Sequence, residues 1–152
     1  MTWNDGIARV DRGTGDLVWW LADDGSDFER VGDGPLVRQP HSVQRIPEGL
    51  LVFNRGDPAD PDTCSQATEI RIDELRGTAE RVDFYASERC LLVVFLGSAL
   101  RLPGGNMLVS WTSAGQIDEV TPDGALAWRV NTNVGAAFGF AERVPALGDG
   151  VP

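Results

Sequence analysis

The chain has 152 residues, the length of one ordinary domain, and a formal net charge of −10. All 13 of its basic residues are Arg. So acidic a chain gains no affinity for nucleic acid from counterion release and is repelled by anionic membrane surfaces. No run of about 18 apolar residues is present, so we expect neither a nucleic-acid partner nor a membrane-spanning segment.

The N-terminus and the cysteines leave the compartment open. The first ten residues, MTWNDGIARV, lack the basic region and apolar core of a signal peptide. We therefore expect either a cytoplasmic protein or a chain whose natural N-terminus lies upstream. Cys64 and Cys90 form no C-x-x-C motif and indicate no zinc site. One disulfide and two separate buried thiols are both compatible with this pair.

The first predicted element is a hairpin. The 18 Gly and 9 Pro divide the sequence into short apolar runs, which favours strands and turns over long helices. Strands Ile7–Val10 and Leu17–Trp20 flank Arg12–Gly15, whose glycines supply the positive φ of a tight turn. The Asp-, Gly- and Pro-rich residues 22–40 that follow are predicted to be a loop.

A second group of strands surrounds a proline turn. Pro47–Gly49 suits a type II-like turn between two apolar segments. Residues 73–79 form either a longer turn or one helical turn. The strands predicted in this group are 41–46, 50–54, 68–72 and 80–85.

The same plan then returns along the chain. Arg45-Ile46-Pro47 aligns with Arg101-Leu102-Pro103, and a weaker third copy begins at Arg143-Val144-Pro145. The strands predicted in the second copy are 98–102, 107–111, 116–120 and 125–130, with the start of another at 141–144.

Four-stranded antiparallel units that recur at about 45 to 55 residues are typical of β-propeller blades. We therefore predict an all-β fold, a single partial propeller domain over residues 1–152 with roughly three blades. Its predicted parts are a blade end at 6–21, blades at 41–86 and 98–131, and a blade start at 140–152. Propellers close with about four to eight blades. We expect either a piece of a longer propeller or a homodimer that completes a six-bladed ring.

Several segments together resemble the arylsulfotransferase family of propellers. PHSVQRIPEGLLVFNRG is similar to the family's QHD-x-R-x-LPNGN-x-L-x-FDNG segment, and FLGSALRLPGGNMLVSW to G-x-A-Q-R-LPNGN-x-L-x-x-W. GQIDEVTPDGALAWRV resembles its G-R-I-x-E-V-T-x-DG-x-x-x-W hairpin. The resemblance implies a six-bladed propeller, often periplasmic or secreted, that moves a sulfuryl group between phenols through a transiently sulfated histidine. It implies no cofactor, and a phenol or aryl sulfate as the small-molecule partner.

The resemblance also implies a site. His41, the sole histidine, aligns with the family's histidine and is the predicted catalytic residue, whereas Ser42 and Gln44 replace the family's Asp and Arg. Arg45, Asn54 and Arg101 are the predicted substrate-binding residues, and solvated strand positions are the alternative for both arginines. Sulfuryl transfer needs a free imidazole nitrogen and donors that hold anionic oxygens.

Other features of the sequence point away from chemistry. Asp57, Asp60 and Asp62 do not have the spacing of a calcium loop, so we predict no metal site. Trp19, Trp111 and Trp128 recur at blade positions and are predicted to pack between blades. A family site uses several histidines and this chain has one, so a non-catalytic propeller that serves as a binding or assembly module is the alternative function.

Overall fold

The computed structural model describes residues 5–60, 63–133 and 138–144, and within them the protein is all-β. A single 3-10 turn, Thr112–Ala114, interrupts the strands. No helix in these ranges is long and apolar enough to cross a bilayer. The strands are β1 (Gly6–Val10), β2 (Leu17–Ala22), β3 (Glu29–Val31), β4 (Pro40–Ile46), β5 (Gly49–Asn54), β6 (Gln66–Asp73), β7 (Thr78–Ala86), β8 (Ser98–Arg101), β9 (Met107–Trp111), β10 (Gln116–Val120) and β11 (Leu126–Asn131).

The strands form three sheets. β1 and β2 make a hairpin, β4 to β7 make an antiparallel meander to which β3 adds in parallel, and β8 to β11 make a second antiparallel meander. β4 and β8 are therefore the first strands of their sheets, and each is an edge strand. The two edges run beside each other because β8 contacts both β4 and β5.

The five-stranded sheet is the centre of the molecule, because each of its faces packs against another sheet. All six residues of β5 are buried. Leu50, Val52 and Ile70 pack against the hairpin. Leu51 and Phe53, which point the opposite way as period-two alternation requires, pack against the four-stranded sheet.

The core is divided accordingly. One cluster lies between the hairpin and the central sheet and includes Trp19, whose ring meets Phe28 edge-on at 5.4 Å. The other lies between the central and four-stranded sheets and includes Trp111, whose ring meets Phe53 at 5.6 Å. Trp19 and Trp111 therefore lie between sheets, as predicted, whereas Trp128 of the edge strand β11 is 42% exposed and does not lie between two of the described sheets.

The structure confirms most predicted strands and corrects two expectations. β3 falls within the predicted loop 22–40; its three residues are exposed, so no apolar alternation marks it. Residues 141–144 form no strand, although they align with residues 43–46 at the end of β4. The remainder of that predicted blade start, 145–152, lies outside the described residues.

The two cysteines form a disulfide, which decides between the two alternatives. The Cα atoms of Cys64 and Cys90 are 4.9 Å apart. The bond joins the loop after β5 to the loop that leads into β8. It therefore connects the segments that flank the β4–β8 edge.

Candidate functional site

The two edge strands β4 and β8 are joined by the Gln44 side chain, whose amide hydrogen-bonds to backbone groups of β8 as a neighbouring strand would. Gln44 Oε1 accepts a hydrogen bond of 2.5 Å from the backbone N–H of Arg101. Gln44 Nε2 donates one of 3.4 Å to the carbonyl oxygen of the same residue. We call this boundary between β4 and β8 the inner seam. Gln44 thus fixes how the two strands lie against each other.

A β-bulge turns His41 toward the inner seam. The β4–β5 register shifts between Pro40 and Ser42, so one additional residue of β4 lies opposite Phe53. His41 is that residue, and its Nδ1 lies 2.9 Å from the carbonyl oxygen of Gly97. The imidazole is exposed on its remaining sides.

The contact with Gly97 determines the tautomer of the neutral imidazole. A carbonyl oxygen only accepts hydrogen bonds, so Nδ1 must carry the proton that it donates. In the neutral ring Nε2 is then unprotonated and holds a free lone pair. Among the described residues no group hydrogen-bonds to Nε2. This nitrogen is therefore available as a base or a nucleophile.

The segment that presents the Gly97 carbonyl is held from several directions. Ser65 Oγ accepts from the backbone N–H of Val93 at 2.7 Å and donates to the carbonyl oxygen of Arg55. Arg55 Nη1 donates to the carbonyl oxygen of Val94 at 2.9 Å. The disulfide at Cys64 attaches the same segment. The hydrogen-bond acceptor for His41 is thus held in place by contacts outside the site.

Gly97 is required at its position. Its φ is +96°, and a Cβ there would lie 2.1 Å from Cε1 of Phe53. A side chain would have to displace a fully buried ring. The backbone can lie this close to the core only with glycine here.

Unusual backbone conformations flank the His41–Gly97 contact in the segments that lead into β4 and β8. Gln39 has φ +46° and Leu96 has φ +62°, a region that residues other than glycine seldom occupy. Gln39 is held by Arg55, whose Nη2 donates to Gln39 Oε1 at 3.1 Å and whose Nε donates to its carbonyl oxygen at 3.3 Å. Such conformations cluster at functional sites, where the surroundings enforce them.

Arg101 lies on the inner seam but is already engaged. Its guanidinium pairs with Glu69 of β6, and its Nη1 donates to the carbonyl oxygen of Gly105 at 2.8 Å. The Arg101 side chain is 22% exposed. It therefore connects the central and four-stranded sheets beneath the edge on which His41 stands.

Arg45 and Asn54 lie away from His41. Arg45 pairs with Leu50 in the β4–β5 ladder and faces the hairpin, on the side of β4 opposite the inner seam. Asn54 is buried, and its amide accepts from the N–H of Arg38 at 3.0 Å and donates to Thr68 Oγ1 at 3.0 Å. The structure brings His41 and Arg101 to one seam and separates Arg45 and Asn54 from it.

A separate cavity of about 520 Å³ is markedly acidic. Its described lining includes Asp5, Asp23, Asp24, Asp57 and Asp60. Backbone N–H groups occupy several of these carboxylates, since Asp23 Oδ1 accepts from Leu36 at 2.8 Å and Asp57 Oδ1 accepts from Ala59 at 2.8 Å. No group of three or more potential ligands among the described residues is arranged to hold a metal ion.

Sequence patterns missed three residues that build the site: Gln44, Arg55 and Gly97. Gly97 begins the second copy of the repeat, and its place directly before a buried strand was the available signal. Arg55 follows β5 within the segment that resembles the family. Their roles depend on contacts between loops, which no local pattern encodes.

No protein-family model matches the sequence, and the search of curated proteins finds no significant match. The geometry of the inner seam is therefore the main basis for the functional proposal that follows.

Proposed function

We propose that this chain is part of an arylsulfotransferase-like β-propeller and transfers a sulfuryl group from a phenolic sulfate ester to an acceptor phenol through His41. The observation that supports this most is the hydrogen bond from His41 Nδ1 to Gly97, which leaves Nε2 free on an exposed ring. A nucleophilic imidazole needs this tautomer and this access.

The proposed reaction has two displacements at sulfur. Nε2 attacks the sulfur of the ester, an N–S bond forms, the S–O(aryl) bond breaks, and the phenolate leaves with the electron pair. The acceptor phenol then attacks the same sulfur, an O–S bond forms, and the N–S bond breaks with its electron pair returning to Nε2. The phenol loses its proton to solvent, and the imidazole is neutral again. Gly97 stabilises the positive charge that develops on the ring, because its carbonyl accepts from Nδ1–H throughout. The sulfate ester supplies the transferred group, so no cofactor enters.

The predicted substrate-binding residues differ in whether their positions would let them contact a substrate at His41. Arg101 lies on the same seam as His41 and would need to release Glu69 or use a free N–H to hold a sulfate oxygen. Arg45 faces away and Asn54 is buried, so both stay predictions without a geometric link to His41. Further donors would come from other blades of the ring.

We also propose that the central and four-stranded sheets are neighbouring blades of a propeller. The central and four-stranded sheets are antiparallel meanders packed face to face with their first strands adjacent, which is the arrangement of neighbouring propeller blades. A homodimer that completes a six-bladed ring is one way to close it, and a mass of about twice 16.4 kDa by light scattering is its expected signature.

The test of the catalytic proposal is turnover of p-nitrophenyl sulfate with phenol as acceptor. We expect release of p-nitrophenolate, and a gain of one SO₃ group on the peptide that contains His41 after rapid quenching. The His41→Asn variant is the matched control, because its amide N–H occupies the place of Nδ1–H while Nε2 is lost.

Each outcome of that test is informative. Loss of turnover in His41→Asn with an unchanged unfolding curve supports the nucleophile. Turnover that persists in His41→Asn, or a wild-type protein that turns over no aryl sulfate, contradicts it.

A non-catalytic binding or assembly module is the second candidate, and a specific observation favours it. Leu126, Trp128 and Val130 of β11 are each more than 40% exposed. Apolar residues grouped in this way on a sheet typically mark contact surfaces. A self-association that Trp128→Glu abolishes, with no turnover by the wild type, would favour this function.

A further inference from the structure

A second concave site lies on the other side of β4, between the hairpin and the central sheet. We call it the hairpin groove. Its volume is about 480 Å³, within the range of about 300–1,000 Å³ found for small-molecule sites. Its described lining residues are Ile7, Ala8, Arg9, Trp19, Val43, Arg45 and Leu50.

The charge of the hairpin groove is opposite to that of the protein. The chain carries a net charge of −10, yet the described lining contains two arginines and no acidic residue. Arg9 is neutralised by Glu74, with contacts of 2.5 and 2.7 Å to its carboxylate oxygens. Arg45 is exposed, and no ion pair or hydrogen bond of its side chain occurs in the described part of the chain. The groove thus offers one unpaired guanidinium.

The rest of the groove is apolar and well ordered by packing. Trp19 and Leu50 belong to the buried cluster between the hairpin and the central sheet, and Trp19 is fixed edge-on against Phe28. Val43 lies beside Arg45 on the same side of β4 and is 46% exposed. An apolar body placed here would cover Val43 while its charged end met Arg45.

The hairpin groove is distinct from the inner seam. Val43 and Arg45 pair with Val52 and Leu50, whose side chains face the hairpin. The bulge at Pro40–Ser42 directs His41 to the opposite side, toward Gly97. A ligand in the groove therefore has no access to the proposed nucleophile.

We propose that the hairpin groove binds a small amphipathic anion, an aromatic body that carries a carboxylate or sulfonate. Arg45 holds the anionic group through the two parallel N–H donors of its guanidinium. The body of the ligand packs against Trp19, Val43 and Leu50. No covalent step is involved, because none of the lining residues is a nucleophile.

The test compares two dyes with the same aromatic body. Anilinonaphthalene sulfonate carries the anion, and N-phenylnaphthylamine lacks it. We expect the sulfonate to bind the wild-type protein at least about tenfold more tightly than the neutral dye, the difference that one charge-assisted hydrogen-bonded contact supplies. The Arg45→Gln variant should lose this preference and keep its affinity for the neutral dye.

Three controls locate the effect. Arg89→Gln makes the same charge change at an exposed arginine outside the groove and should leave both affinities unchanged. His41→Asn should also leave sulfonate binding unchanged, so the groove is tested independently of the proposed transferase. Trp128→Ala should have no effect if the dye does not occupy β11.

The proposal is overturned by any of three results: equal binding of both dyes, equal sulfonate binding by Arg45→Gln and the wild type, or loss of sulfonate binding in Trp128→Ala. Because Arg45 is exposed and has no partner among the described residues, its replacement is not expected to unfold the protein. Matching urea transitions for Arg45→Gln and the wild type verify this.

Discussion

The central and four-stranded sheets contact each other at the inner seam and at a second place, which we call the outer end and which is built around Asp118, Tyr85 and Arg129. The polar side chains at these two places make very different numbers of hydrogen bonds. At the inner seam, His41 is exposed and makes one hydrogen bond to a described residue, Gly97. At the outer end, the Asp118 side chain is fully buried and accepts hydrogen bonds from four side chains. These donors are Trp111, Tyr85, Gln116 and Arg129, at distances of 2.6 to 3.2 Å.

At the outer end, the charged groups Asp118, Glu88 and Arg129 all take part in ion pairs. Arg129 Nε donates to Asp118 at 2.6 Å, and the other side of its guanidinium pairs with the carboxylate of Glu88. The hydrogen bonds from Arg129 lower the pKa of Glu88 to about 2. Tyr85 reaches across from β7, so the network ties two sheets together.

The difference between the two ends indicates that one stabilises the fold and that the other can bind or react with a ligand. A buried carboxylate surrounded by donors has no capacity left for a ligand. The inner seam keeps an unused nitrogen and is flanked by Gln39 and Leu96 with positive φ. We therefore expect the outer end to contribute mainly to stability, and the proposed nucleophile lies at the inner seam.

Removal of the buried carboxylate should have the largest effect on stability. Asp118→Ala leaves Arg129 Nε, Trp111 Nε1 and the Gln116 amide without their buried acceptor, although Glu88 still pairs with the Arg129 guanidinium. Breaking a buried ion pair in this way costs about 3–5 kcal/mol. Urea unfolding followed by tryptophan fluorescence measures it, with Asp16→Ala at an exposed turn as the control. A loss below about 1 kcal/mol would contradict the assignment of the outer end.

Substitution of Gly97 at the inner seam should reduce stability less than Asp118→Ala does, but it should also reduce turnover. Gly97→Ala forces a Cβ against Phe53 at a φ of +96°, which costs about 1–3 kcal/mol and displaces the carbonyl that orients His41. Turnover should fall although His41 is intact. Gly104→Ala is the control, because a Cβ there meets no atom within 4 Å. Unchanged turnover in Gly97→Ala would show that the orienting contact is dispensable.

The hydrogen-bond network at the outer end should make the stability of the protein depend on pH at alkaline pH, through Tyr85. Burial, and then the negative charge of Asp118, raise the pKa of Tyr85 from about 10 to about 12. Because the folded pKa is the higher one, the stabilisation is fully present below pH 10 and is lost as the pH rises toward 12.

Tyr85 is the one tyrosine of the sequence, so its titration is measured directly by tyrosinate absorbance. We expect a midpoint near 12, moved lower in Asp118→Asn. A midpoint near 10 in the folded protein would show that the hydroxyl is solvated and the network open.

Most of the strand order was predictable from sequence, because it follows from local pattern. The buried run Leu50–Asn54 after Pro47–Gly49 identified β5 and its turn, and the repeat identified β8 and β9. β3 was not predictable, since three exposed residues have no pattern to detect. Residues 141–144 show the converse: a strand-like sequence that pairs with no strand among the described residues forms no strand itself.

The site was predictable only in part, for a physical reason. Simple alternation along β4 would place His41 and Arg45 on one side. The bulge at Pro40–Ser42 changes the side of His41 alone, and a one-residue register shift leaves no trace in the sequence pattern. Asp118, in Gln-Ile-Asp-Glu-Val, resembles a solvent-facing strand residue, because three of its four donors (Tyr85, Trp111 and Arg129) come from other strands.

The most direct test of the central claim is the tautomer of His41, read from the ¹⁵N–¹H correlations of the imidazole ring. The sequence has one histidine, so the spectrum contains a single ring without the need for assignment. At a pH where the ring is neutral, the account predicts a proton on Nδ1 and none on Nε2. The opposite tautomer, with Nε2 protonated, would contradict both the contact with Gly97 and the proposed nucleophile.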